Sequence, residues 1–340
     1  ISLFNNKVFS QNALRFDGSN DELASSAPVI ENTNSRTVEA WIKCSSSSSQ
    51  RFIIDMGQTG LGNGARFSMK INPSTTVLRI EVGGGGLNGT TNITNNSWHH
   101  VAAVYDNSAS SNKFKLYVNG NLDAQGDIGI PIITPLTGAV TIGVRNEGGI
   151  GFFNGSIDEA RIWNVARTQA QIQSSMNNEI CAPQTGLLAY YKLNEGTADG
   201  SNSGIITATD SSGNNYPATL SSFALSGSTS NWTIGKNLPQ QTIDNTITNP
   251  SAGTLVANLS GATYQWYDCN LDMPVNGATS QTFSTSIASL YKVILTKDGC
   301  TATSDCTSNS PLNTTKFNFK NSISMYPNPT KGITNIQLTE

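Results

Sequence analysis

The sequence predicts an all-β chain whose main body is a two-sheet, jelly-roll sandwich, and three observations predict it. Short segments rich in β-branched and aromatic residues recur along the chain, each bounded by Gly, Asn, Asp or Ser, the punctuation of strands and tight turns. Charged residues make up 13% of the 340 residues, against about 25% in an ordinary globular domain, and Ser, Thr, Asn and Gly fill their place. A single stretch breaks the rhythm with helical spacing.

The strand segments begin with ALRFDG (13–18), which is closed by Gly18, and TVEAWIK (37–43), with its valine, tryptophan and isoleucine. RFIIDMG (51–57), RFSMKI (66–71) and VLRIEV (77–82) follow at short intervals. WHHVAAVYD (98–106) and KFKLYVNG (113–120) are separated by a polar turn, as in a hairpin. AVTIGV (139–144), GSIDEARIWN (155–164) and LLAYYKLN (187–194) complete the series. That spacing is the spacing of sandwiches and jelly rolls. RTQAQIQSSMN (167–177) places Ala170, Ile172 and Met176 at helical intervals behind an N-cap candidate, Thr168, and reads as one short helix.

Composition excludes several classes of function. The formal net charge is −3 with no basic run, so the footprint of a nucleic-acid binder is missing. No apolar run approaches the ~18 residues of a membrane-spanning helix. The chain begins at Ile1 rather than methionine, which reads as a processed or excised boundary. Its five cysteines, Cys44, Cys181, Cys269, Cys300 and Cys306, show no CxxC spacing, so a structural zinc site is not expected. Three of them cluster late in the chain, as in a small domain stapled in an oxidising compartment. Within that trio the pairing stays open, and one cysteine must be left over or pair elsewhere.

His99 and His100, the only histidines, lie side by side in a strand, where successive side chains point to opposite faces. Trp98, His100, Ala102 and Val104 share one face, and His99, Val101, Ala103 and Tyr105 the other. The two imidazoles therefore cannot converge on one metal or one proton, and a structural role is expected.

RFDGSNDELAS, TVEAWIKC, SWHHVAAVYDNSASSNKFKLYVNGNL, TIGVRNEGGIGFFNGSIDEARIWNVARTQAQI and DSSGNNYPATL together resemble the laminin-G-like modules of the concanavalin A-like lectin/glucanase superfamily, over about residues 10 to 235. The resemblance implies a two-sheet jelly roll that hosts sugar or protein binding and often carries a structural calcium ion. In GSIDEARIW, alternation places Asp158, Ala160 and Ile162 on one face and Ile157, Glu159, Arg161 and Trp163 on the other. A carboxylate beside a core must be paired or coordinated. Asp17, Asn20 and Asp21 in one turn and Asp210 in another offer further hard oxygen ligands of the kind Ca²⁺ takes. These five are the expected calcium ligands, with Asp158 and the Asp17 turn the foremost. The competing reading is that Asp17 and Asp210 cap their turns through side-chain hydrogen bonds. The E-x-D-x-x-E strand of the superfamily's glucanases is absent, and adjacent Asp158 and Glu159 should face opposite ways, so no catalytic carboxylate pair and no enzyme is expected. For a ligand, Glu39, Trp41, Arg161 and Trp163 are candidates if their faces line an open sheet, beside the glycine-rich loop GGGGLNG (83–89) and the loop residues Phe152 and Phe153. Burial of the tryptophans in the core is the alternative.

The expected boundaries are a laminin-G-like module over 1–235, a polar linker over 236–244, a small domain over 245–309 and a tail over 310–340. TYQWYD and LYKVILT, with cysteines at strand ends, resemble the small Ig-like modules of bacterial surface proteins. SISMYPNPTKGITNIQL (322–338) resembles the start of the C-terminal sorting domain of the Bacteroidetes type IX secretion system. These resemblances imply a secreted or cell-surface, adhesin-like protein, exported across the outer membrane by that machinery, with a glycan or a surface protein as ligand. The alternative is an ancillary carbohydrate-binding part of a larger polysaccharide-degrading enzyme.

Overall fold

The computed structural model describes residues 11–310 apart from 59, 147 and 148; the expected sorting segment lies outside them. Contacts divide the chain into two units. One takes the residues through 243 together with 296–301, and the other takes 244–295 together with the residues from 302 on.

The first unit opens with β1 (Asn12–Asp17), β2 (Glu22–Ser25), β3 (Arg36–Ser45), β4 (Arg51–Gly57), β5 (Arg66–Ile71) and β6 (Leu78–Val82). It continues with β7 (Gly85–Asn88), β8 (Asn95–Tyr105), β9 (Phe114–Val118), β10 (Asn121–Gly126), β11 (Ala139–Ile142) and β12 (Asn154–Trp163). After the helix α1 (Gln169–Ser175) come β13 (Leu187–Tyr191), β14 (Thr207–Ala208), β15 (Ala218–Ser221) and β16 (Asn231–Ile234). Two antiparallel eight-stranded sheets result. The first runs β10-β9-β8-β3-β12-β1-β16 with β13 also paired to β12, and the second runs β14-β15-β2-β11-β4-β5-β6-β7.

The inner faces supply one apolar core, to which Leu14, Phe16, Val38, Ile42, Val101, Ile157 and Trp232 contribute from the first sheet and Ile54, Met56, Phe67, Met69, Ile80 and Ile142 from the second. The free Cys44 is buried there as well. This is the all-β sandwich expected. One expectation fails: GGGGLNG is no loop, because residues 85–88 pair with β6 as an edge strand. A glycine run lacks strand propensity, yet a backbone ladder needs no side chains. Gly86 has a further role, since a Cβ there would meet the Arg79 guanidinium at 2.5 Å.

At seven residues α1 is too short to persist alone. Thr168 and Gln171 close a capping box, the Gln171 N–H donating to Thr168 Oγ1 at 3.3 Å and the Thr168 N–H to Gln171 Oε1 at 2.8 Å. Ile172 then packs on Ala102, Val104 and Tyr117, on the face that carries His100. Gln169 and Gln173 donate to the Gly120 carbonyl at 3.0 and 2.9 Å.

The strands that follow, β17 (Ile247–Ser251), β18 (Thr254–Ala257), β19 (Thr263–Asp268), β20 (Met273–Pro274), β21 (Thr282–Ser284), β22 (Leu290–Lys297), β23 (Cys300–Thr303) and β24 (Thr307–Ser308), form two small sheets and belong to the second unit except for residues 296–301. One is β17-β18-β21; the other is β20-β19-β22-β23 with β24 on β22. Trp266 is fully buried, stacked on Phe283 at 5.3 Å, and Phe283 meets Tyr291 edge-on at 4.9 Å. Cys269 and Cys306 form a disulfide, while Cys300 pairs with Cys181 within the first unit. Of the late trio it is therefore Cys300 that pairs elsewhere. Two disulfides fit an oxidising, extracytoplasmic setting, and among the described residues no helix is long and apolar enough to cross a membrane.

The Cys269–Cys306 bridge spans 37 residues of sequence, which in the chain-entropy account is worth about 4 kcal/mol. Replacing both cysteines with serine should detach a low-temperature transition of the second unit in calorimetry. A single unshifted transition would show that the bridge adds nothing.

Candidate functional site

Two outward sheet faces carry charge, and they differ in what covers them. On the first sheet, Glu39 and Trp41 of β3 stand beside Arg161 and Trp163 of β12, so the structure does bring these four expected ligand residues together. It also buries them: Glu39, Arg161, Trp163 and Trp41 are 0, 1, 2 and 5% exposed. Arg167 donates to Glu39 at 2.8 Å, the Trp163 indole N–H at 2.9 Å, and Arg161 Nη1 lies 3.9 Å away. Arg161 also donates to the carbonyls of Ser175 and Asn178, Arg167 to the carbonyl of Gln171, and Trp41 to the carbonyl of Met176. Those carbonyls belong to α1 and the turn behind it. The face is a clamp that holds the helix onto the sheet, not an open platform for a sugar.

Charge within the clamp follows from burial. Desolvation raises the Glu39 carboxyl, but Arg167, His100 and Arg161 together with the indole hydrogen bond outweigh it and hold it below the usual range. His100, edge-on to Trp41, is pushed down to about 4 by burial despite Glu39 at 3.7 Å, so it is neutral. His99 is engaged by Asn95 and Asn119 instead. The histidines serve the strand, as expected.

Strand β12 departs from simple alternation. Asp158 faces Trp41 and Arg161 faces Glu39, so Glu159 and Ala160 share one partner residue, and Glu159 has φ +53°. This bulge corrects two expectations. Asp158 does not share the face of Ala160 and Ile162, which line the core; it joins Glu159 and Arg161 on the helix side. Asp158 and Glu159 therefore do not point opposite ways. Both are nearly fully buried and both carboxyls are raised, Asp158 by burial and then by Glu159, Glu159 by burial. Glu159 accepts from Arg161 at 2.5 Å and from the Tyr190 hydroxyl, and Asp158 from the Lys236 N–H at 2.7 Å. They form an enclosed pair, nearly fully buried and hydrogen-bonded within the chain.

The other expected residues do not gather. Phe153 lies in the core beside Phe16, while Phe152 is half-buried in its loop. Asp17 accepts from the Ser19 N–H, and its own N–H donates to Asp21, which also accepts from Ser230. Asp210 accepts from the N–H groups of Tyr190, Ser212 and Tyr216. Asn20 is exposed and Asp158 is bound as above. Among the described residues no three acidic, histidine or cysteine side chains assemble as a metal site. Asp17, Asp21, Asp158 and Asp210 each accept hydrogen bonds from donors of this chain.

The second sheet is different. Alternation sends Phe67, Met69 and Ile71 of β5 and Ile80 and Val82 of β6 inward, which leaves Arg66, Ser68, Lys70, Arg79 and Glu81 outward. Strands β4, β5 and β6 are neighbours, with Asp55 opposite Ser68 and Ser68 opposite Glu81. Glu81 is the centre: Arg66 contacts it at 2.6 Å, Lys70 at 2.7 Å and Arg79 at 3.2 Å. The Phe52 ring forms a floor, with the Lys70 ammonium 4.9 Å and the Arg66 guanidinium 5.7 Å from its centre. Arg79 also donates to Asn88 at 2.9 Å and Lys70 to Gln50 at 3.3 Å. Asp55, fully buried, accepts from Ser68 and from the Asn146 N–H and lies 3.6 Å from Arg66. Arg66, Arg79 and Glu81 keep 12, 17 and 18% of their side chains exposed. Burial raises the Glu81 carboxyl, but Lys70, Arg66 and Arg79 prevail and keep it ionised. The result is a fixed, recessed polar array with N–H groups left to donate. Sequence reading overlooked these residues, although the polar alternation of RFSMKI and VLRIEV was in view.

The all-β sandwich has a recessed polar array on its second sheet. Residues 17–173 match a laminin G family of the concanavalin A-like lectin/glucanases superfamily. No curated protein matches the chain. Among solved structures, a candidate carbohydrate-binding protein from Bacteroides ovatus is similar at 27% identity and TM-score 0.49, over 63% of this chain and 60% of that one. The match thus spans less than two thirds of that protein. A heptameric SAP-like pentraxin from Limulus polyphemus shares 19% identity over 48% of this chain and 81% of its own, with TM-score 0.37. The CBM40 of a Ruminococcus gnavus sialidase, bound to α2,3 sialyllactose, shares 19% over 42% and 81%, with TM-score 0.35.

Two outcomes follow from the buried carboxylates. Glu39→Gln leaves Arg161 and Arg167 without their shared anion and should cost about 3 kcal/mol in denaturant unfolding; a loss below about 1 kcal/mol would contradict the clamp. Burial raises the Asp55 carboxyl from 3.8 to about 6. Between those values the folded chain holds a proton that the unfolded chain has released, so this group's contribution falls as pH rises from about 4 through 6. Asp55→Asn should remove that slope. Parallel stability profiles of variant and parent between pH 4 and 7 would refute it.

Proposed function

We propose that the protein is a non-enzymatic, secreted or cell-surface binding protein whose first unit recognises a glycan through the outer face of its second sheet. The observation that carries this reading is the array around Glu81: three cationic side chains fixed within 3.2 Å of one carboxylate. Sugar hydroxyls are held by polar groups in fixed positions. Side chains already immobilised by ion pairs lose little further entropy when a ligand arrives. The sandwich fold, the match to the lectin/glucanases superfamily and the two disulfides support the same reading. The enclosed state of Asp158 and Glu159 speaks against hydrolysis.

In this reading the second unit, with its two small sheets and its resemblance to Ig-like modules, is a spacer. The segment 322–338 is the address for type IX secretion.

The test is a panel of soluble polysaccharides titrated against the full chain, with released reducing ends measured in parallel. Binding without release is expected, and Glu81→Gln should weaken it about tenfold, because Arg66, Lys70 and Arg79 lose their common anchor. Cleavage of any polysaccharide, or undiminished binding by the variant, would overturn the proposal.

A further inference from the structure

We propose that the ligand of the second-sheet array is an anionic saccharide, one that carries carboxylate or sulfate groups; this rests on the reading of that face as the glycan site and narrows it. Among the described residues, Arg66, Lys70 and Arg79 surround Glu81, and Arg145 joins Arg66 as a cationic neighbour of Asp55. Among the described residues four cations thus face two carboxylates, a surplus of positive charge even with both carboxylates ionised. That surplus stands out in a chain of formal net charge −3.

Donor capacity points the same way. A guanidinium carries five N–H groups in a planar fork suited to two oxygens of one anion. Arg79 spends Nε on Glu81 and Nη1 on Asn88, which leaves Nη2 for a ligand, and Gly86 keeps the space beside that nitrogen free of a Cβ. Arg66 spends Nε on Ser68 and Nη2 on Glu81, which leaves Nη1. The Arg145 Nε is buried without a hydrogen-bond partner among the described residues. A neutral saccharide can accept from these donors through its hydroxyl oxygens but leaves the excess charge unanswered. A carboxylate or sulfate satisfies both, with Glu81 keeping the two arginines apart and in position.

The two sources of negative charge are distinguished by experiment. The full chain is titrated with polygalacturonate, with its fully methyl-esterified form, with a sulfated galactan and with the same galactan after desulfation, at low and at physiological salt. At least one acidic polymer should bind about tenfold or more tightly than its neutralised counterpart, with affinity falling as salt rises. Arg79→Gln should remove most of that difference while the melting temperature stays within a few degrees of the parent. Should the variant misfold, Lys70→Gln serves in its place. Preference for polygalacturonate assigns a carboxylate ligand, and preference for the sulfated galactan assigns a sulfate. Equal binding of charged and neutralised forms would overturn this inference and leave the glycan reading standing. Acidic preference that survives both substitutions would place the ligand elsewhere. Binding of no polysaccharide, these or any in the wider panel, would sink the glycan reading and this inference together.

Discussion

Glu39, a carboxylate with no exposure to water, anchors the helix to the outer face of the first sheet through Arg167 and Arg161. An ion buried in the interior survives only with partners that replace its hydration. Here those partners are Arg167, Arg161 and the Trp163 indole. The two arginines in turn bind the carbonyls of Gln171, Ser175 and Asn178. A helix of seven residues thereby becomes a fixed lid over β3, β8 and β12. The tryptophans and the arginine on that face are committed to holding it shut. On the second sheet the same residue types stay partly open, Arg66, Arg79 and Glu81 keeping 12, 17 and 18% of their side chains exposed.

The two faces are variations on one physical problem. Charge on a sheet that is not freely solvated must be paired. On the first sheet backbone carbonyls of the helix take up most of the arginine donors, while Glu39 Oε2, His100 Nδ1 and Arg161 Nε are buried without a hydrogen-bond partner among the described residues. On the second, three cations share Glu81, and no helix supplies further acceptors. Order without full satisfaction is what a binding surface requires. The two faces thus use the same chemistry, arranged with different numbers of acceptors.

Much of the fold was legible in the residues. Strand segments, the helix behind Thr168 and the opposed faces of His99 and His100 all follow from local spacing, because period-two and period-3.6 patterns are properties of adjacent residues. The bulge at Glu159 was not, since an extra residue in a strand shows itself only against the partner strand, and it reversed the face assigned to Asp158. Residues 85–88 pair through backbone alone, so their glycines carried no strand signal. Trp41 and Trp163 attracted attention as sugar platforms, and the burial that disqualifies them depends on a helix arriving from residues 169–175. The Glu81 array was half visible: RFSMKI and VLRIEV show their outward polar positions. What sequence could not supply was the strand order that sets β4, β5 and β6 side by side and turns five dispersed residues into one surface. Cysteine pairing was closed for the same reason, because Cys300 joins Cys181 across 119 residues.

The account stands on one claim, that the second sheet and not the first presents the working face. Amide chemical-shift mapping of the labelled protein with a bound oligosaccharide tests it directly. The account predicts perturbations centred on Arg66–Ile71 and Leu78–Val82, with the Arg36–Ser45 and Asn154–Trp163 strands silent. Perturbations concentrated on those two strands and on α1 would mean that the clamp opens to ligand, and would contradict it.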